Sequence, residues 1–168
     1  MTAHSSFKKL VRARMQETGQ NFTAARQDIL NEGKDAAATQ ALIQQAKTTH
    51  ETVVGRFFKD GVMTAWPSKR RPRAHVLLHL VTYFDPGTTY TEPEVNEILA
   101  ALWHDFAFMR REMVEYGYLV RSSTGATYRL AANIQRREGT VLQDEAPDWE
   151  AIWLPGYLAG QQLPHLPT

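Results

Sequence analysis

A mainly α-helical fold with a small β-hairpin is predicted by three features of the chain. Apolar residues recur at helical spacing along most of its length. Two capping signals, at Thr91 and Asp105, cut the middle of the chain into short helices. Two alternating runs, YLVR and TYRL, then follow Gly117 around the turn-forming stretch Ser122–Ala126.

From the N-terminus, FKKLVRARM sets Phe7, Leu10, Val11 and Met15 on one helical stripe, and Thr18-Gly19 closes that helix. Asn21 or Thr23 can cap a second helix ending at Gly33. Asp35 is a plausible cap for a third, whose apolar face is Ala38, Leu42, Ala46, Val53 and Phe57. Gly61 and Pro67 then break the helix, and VMTAW between them can form a short strand. Lys69, Arg70, Arg71 and Arg73 stand at the entrance to a helix with Val76, Leu77, Leu80, Val81 and Phe84 inward, stopped by Asp85-Pro86-Gly87.

Thr91 with Glu94 is a capping box and Pro93 falls in the tolerated first turn; Val95, Ile98, Leu99 and Leu102 follow at the spacing of a buried face. That helix is expected to end near Trp103-His104. Asp105 caps the next, with Phe106, Met109 and Met113 inward and Gly117 as its stop. Helix, turn, helix, turn, helix, hairpin is the order of a winged helix-turn-helix preceded by an N-terminal helical region. The expected division is 1–56, an N-terminal helical region; 57–132, the winged-helix domain; and 133–168, an acidic, aromatic C-terminal extension.

Composition narrows the function. With 43% apolar residues the chain can build a core, and no apolar run approaches the ~20 residues that cross a bilayer. Without a secretory signal the expected location is cytoplasmic. The absence of cysteine excludes disulfides, thiolate metal sites and cysteine nucleophiles. The net charge of +1 conceals an asymmetry: residues 144–168 hold four acids and no Lys or Arg, so all 19 bases lie before them. A basic body suits contact with polyanions, while an acidic tail can fold back on a basic patch.

The stretch FFKDGVMTAWPSKRRPR, then YTEPEVNEIL, HDFAFMRREMVEYGYLVR and the closing TYRL, resembles the bacterial domain of unknown function 2087 (DUF2087) family over about residues 57–130. The resemblance implies a winged-helix-like fold and a place in apparent transcriptional regulators. Trp66, Met109, Met113 and Leu130 depart from the usual pattern in ways that look like repacking of the core.

In helix-turn-helix modules a later helix enters the major groove while neighbouring elements hold phosphates. The candidate nucleic-acid-binding residues are therefore Lys69, Arg70, Arg71 and Arg73 at the helix entrance, His104, Phe108, Arg110 and Arg111 on the reading helix, and Arg121 and Arg129 on the wing. Arg110 and Arg111 point about 100° apart, so they cannot both face one partner; the alternative pairs them with Glu97, Glu112 or Glu115 to lock neighbouring helices. Lys8, Lys9, Arg12 and Arg14 form a second basic face on the first helix, read as a solubilising surface.

His75 and His79 have a chelating spacing but no third ligand at a recognisable distance, and Glu92 with Glu94 is explained by capping. No phosphate loop, dinucleotide or nucleophile-elbow motif occurs, so neither an enzyme nor a cofactor is expected. The tail carries Trp149, Trp153 and Tyr157, too much aromatic surface for a solvated segment, while its later prolines resist regular structure. It packs on its own domain or docks on a second chain, as a homodimer or with a protein partner. The reading is a bacterial DNA-binding protein, a transcriptional regulator that contacts double-stranded DNA. The alternatives are a winged-helix protein-interaction module without DNA binding, and an RNA-binding protein.

Overall fold

The structure, a computed structural model, describes residues 3–135, 137, 139, 140 and 142–161, with side chains from Val11 onward. The chain divides into two compact units, Met1–Gln44 and Gln45–Thr168.

In the first unit α1 (Ala3–Thr18) ends where expected, at Gly19 with φ 70°. Asn21 caps α2 (Phe22–Val54) by accepting from the Ala24 N–H at 2.9 Å. The two helices pack through buried Val11 and Ala25 and a two-pronged ion pair from Arg14 to Glu32, 2.8 and 3.0 Å. Arg14 is thus used internally, and the side chains of Phe7, Lys8, Lys9 and Leu10 lie outside the described residues. The expected break at Gly33 does not occur: α2 runs through it as one helix. One glycine weakens a helix by ~1 kcal/mol without ending it unless the backbone turns left-handed, and Gly33 does not. Ala38 and Leu42, expected on an inner face, are exposed, with Leu42 at 70%.

The second unit takes the end of α2 and then a small hairpin, β1 (Phe58–Lys59) with β2 (Val62–Met63). Asp60-Gly61 forms its turn with both residues at positive φ, the geometry that matches strand twist in two-residue loops. Of the expected strand VMTAW, Val62 and Met63 are extended in a ladder; the Met63 N–H also donates to the Leu102 carbonyl.

Then come α3 (Arg70–Leu80), extended by a 3-10 turn to Tyr83, β3 (Thr89–Thr91), α4 (Glu92–Ala100), α5 (Phe106–Glu115), β4 (Leu119–Arg121) and β5 (Thr127–Leu130). The Thr91 capping box is formed, with Glu94 accepting from the Thr91 N–H at 2.7 Å, and Asp105 accepts from the Phe108 N–H at 3.1 Å. Gly117, at φ 87°, ends the second of these helices, and a Cβ there would meet the Gln135 side chain at 2.4 Å. The strands form one antiparallel sheet ordered β3-β5-β4. The expected hairpin is therefore present, with a third strand added from between α3 and α4.

Leu77, Leu78, Leu80, Val81 and Phe84 meet Val95, Leu99, Met109, Met113 and the sheet residues Leu119 and Tyr128 in the core, all buried. Of the tail expected to resist regular structure, residues Asp148–Leu158 instead form α6, with Pro155 inside it, while Pro164 and Pro167 lie outside the described residues. Trp149, Trp153 and Leu154 are buried, and the Tyr157 hydroxyl donates to the Phe84 carbonyl at 2.7 Å. Among the described residues no helix is long and apolar enough to cross a membrane.

Candidate nucleic-acid interface

The basic cluster lies on the first turn of α3. Lys69 is the N-cap and offers no side-chain cap, and the first turn contains no acid. Cations there oppose the helix dipole, at a cost of about 0.3–1 kcal/mol each when exposed. The fold divides the four. Arg73 is half-buried: its Nε donates to the Pro67 carbonyl at 3.4 Å and its Nη1 lies 3.6 Å from Glu112 on α5. Arg70 pairs with Glu145 at 3.1 Å. Lys69 and Arg71 are exposed and form no ion pair among the described residues.

Arg110 and Arg111 diverge as the 100° helical step requires. Arg110 turns inward to α4, where Nη2 lies 3.2 Å from Glu92 and Nη1 donates to Asn96; its guanidinium sits 5.6 Å from the Tyr128 ring centre. It is a clamp between α4, α5 and the sheet, so its assignment as a nucleic-acid contact gives way. The partner is Glu92, not Glu97, Glu112 or Glu115. Glu92 also receives Arg121 at 3.4 Å and the Tyr128 hydroxyl at 3.2 Å, drawing the hairpin base to the start of α4. Arg121 further donates to the Gly125 carbonyl, yet its side chain stays 53% exposed. Arg111 faces solvent and forms no ion pair among the described residues.

His104 is exposed in the turn before α5, its ring tilted against Trp103 at 4.2 Å between centres. Phe108 is half-buried, edge-on to Trp66 at 5.1 Å, so packing already engages the ring expected at the groove. On β5, Arg129 is exposed opposite Thr89 and Val120 and forms no ion pair among the described residues. Trp149 and Trp153 are each 9% exposed, which leaves little ring for a partner; their assignment to a partner surface is replaced by packing within the second unit.

The histidines resolve as packing groups. His75 Nδ1 lies 3.1 Å from Nδ1 of His50, a buried residue at the end of α2, and His79 stacks edge-on with Phe58 and Tyr83. Burial pushes all three pKa values down, that of His50 to about 3, where His75 and His79 add repulsion. Among the described residues no group of three His, Asp or Glu is placed to hold a metal.

Three features went unread in the sequence. Glu92 was visible as a helix-start acid but not as the hub for two arginines. Glu145 was visible within the tail charge but not as the partner of Arg70. Arg137 ion-pairs with buried Glu150 at 3.1 Å, stacks over the Tyr116 ring at 4.0 Å and donates to the Tyr116 carbonyl, a site that no local motif announces.

Residues 62–130, from β2 to the end of β5, match the model of a family described as an uncharacterized protein conserved in bacteria, DUF2087. No curated protein and no solved structure matches the chain.

Proposed function

With residues 62–130 forming a domain of the DUF2087 family, we propose that the chain is a DNA-binding protein, a transcriptional regulator that uses this domain as a winged helix. The element order α3, β3, α4, α5, β4, β5 with sheet order β3-β5-β4 supports the winged-helix reading. In such a module α5 is the groove-entering helix and the β4–β5 hairpin is the wing.

One observation carries the reading. Lys69 and Arg71 at the start of α3, Arg111 on α5 and Arg129 on the wing are exposed and carry no ion pair among the described residues. Each stands on an element that such modules use for nucleic acid, and the α3 pair sits where a helix end itself favours an anion. Arg111 is suited to a phosphate or base edge, and His104 is exposed in the turn that precedes α5. Arg73 and Arg110 support the scaffold.

The test is fluorescence anisotropy of a labelled duplex of about 30 base pairs at about 50 and 200 mM salt, with wild type and the R71E/R111E variant. Wild-type binding should weaken steeply with salt, and the variant should bind at least tenfold less tightly at the lower salt with a shallower salt slope. No wild-type binding at the lower salt rejects the reading. The protein-interaction alternative, favoured by exposed Val62 and Val120, would then lead.

A further inference from the structure

We propose that the acidic segment around Glu145 is an internal competitor at the basic cluster: it occupies Arg70, a cation that a polyanion's phosphate would otherwise take, and DNA must displace it to bind in full. The inference rests on the DNA-binding reading and adds a regulatory contact to it.

The geometry begins with the ion pair. Arg70 Nη1 donates to Glu145 Oε1 at 3.1 Å, with the Arg70 side chain 70% exposed and that of Glu145 14%. The carboxylate is therefore sunk beside α3, and the guanidinium reaches down to it from the surface. Two clefts flank Glu145. One, of about 280 Å³, is lined by Arg70, Arg73 and Glu112; the other, of about 230 Å³, brings Arg71 together with Asp144 and Asp148. The segment thus pairs with Arg70 and shares a cleft with Arg71, while Arg73 is held by Glu112 of α5; Glu145 lines both clefts.

The segment is folded on itself and tethered at its C-terminal end. The N–H groups of Glu145 and Ala146 both donate to the Leu142 carbonyl, which folds the segment into a turn. Beyond it, Pro147 leads into α6, which is fixed by buried Trp149 and by Glu150 on Arg137. A tethered acid competes at a high effective concentration without any free anion being present. The Arg70 end of the pair is solvated, and exposed pairs of this kind contribute little and are screened by salt, so a duplex carrying many phosphates can displace it. DNA affinity and its salt dependence are then both lower than the cluster's charge implies.

The experiment compares wild type, E145Q and D60N in the anisotropy titration at about 50 and 200 mM salt. Gln is isosteric with Glu and removes the charge. Asp60 lies in the β1–β2 turn at φ 53°, which Asn tolerates, and Phe58 of that hairpin packs on His79 at the opposite end of α3 from the cluster, so D60N changes net charge equally but away from it. E145Q should bind more tightly than wild type. With a slope of about 0.9 per phosphate, one freed cation should enlarge the affinity loss across the fourfold salt range by a factor of about 3.5. D60N should follow wild type.

DNA binding by wild type that E145Q leaves unchanged or weakens, or that D60N strengthens as much as E145Q, overturns the competitor role while the DNA reading stands. Absence of binding by both wild type and E145Q overturns the DNA reading and the competitor role together. Binding by E145Q alone establishes both.

Discussion

At the scale of single residues, the second unit depends on charges that have left water. Arg137 and Glu150 form a buried pair completed by the Tyr118 hydroxyl, which donates to Glu150 and whose pKa burial drives well above the tyrosine range. Removing one partner strands the other charge, so R137A should destabilise the protein by about 3–5 kcal/mol in urea unfolding, whereas R137M/E150L should cost far less. Equal losses would show that packing, not charge, is at stake there. Arg110 and Arg111 show how far single residues were legible. Helix geometry required them to diverge, but the carboxylate that selects Arg110 is Glu92, on another helix. Distant partners such as Glu145 for Arg70 leave no mark in local spacing.

Among elements, those with local signals were readable. The Thr91 capping box, the Asp105 cap and the Gly19 and Gly117 stops all occur, because each is decided by groups within a few residues. The misread elements were decided elsewhere. Pro155 costs α6 about 3 kcal/mol, yet burial of Trp149, Trp153 and Leu154, at ~1.5–3 kcal/mol each, offsets it. Strand β3 carries little alternation in three residues and exists because β5 pairs with it. Gly33 lies inside α2 with helical backbone and open space where a Cβ would stand. G33A should therefore raise stability by about 0.5–1 kcal/mol, read as a higher urea midpoint; a loss would restore Gly33 as a helix stop.

For the whole molecule, the asymmetry between a basic body and an acidic tail was legible, and so was the choice that the tail folds back or docks elsewhere. Its resting place on α3 follows from packing across the second unit. That packing also sets the response to acid. His50, His75 and His79 all have folded-state pKa values below the ordinary 6.5, so below that pH the unfolded chain takes up protons that the folded one refuses. The histidines' contribution should level off as pH rises past 6.5 and fall as pH drops toward about 3. His50 alone removes about 2 kcal/mol by pH 5, which urea titrations at pH 7 and 5 can read. A consequence for biosynthesis lies in the strand order β3-β5-β4. The central strand is the last of the three to leave the ribosome, so helices α3 to α5 can form as they emerge while both sheet edges wait for residue 130. A nascent chain stalled before that point holds two strands with nothing between them, and Glu92 awaits its Tyr128 contact until the same moment.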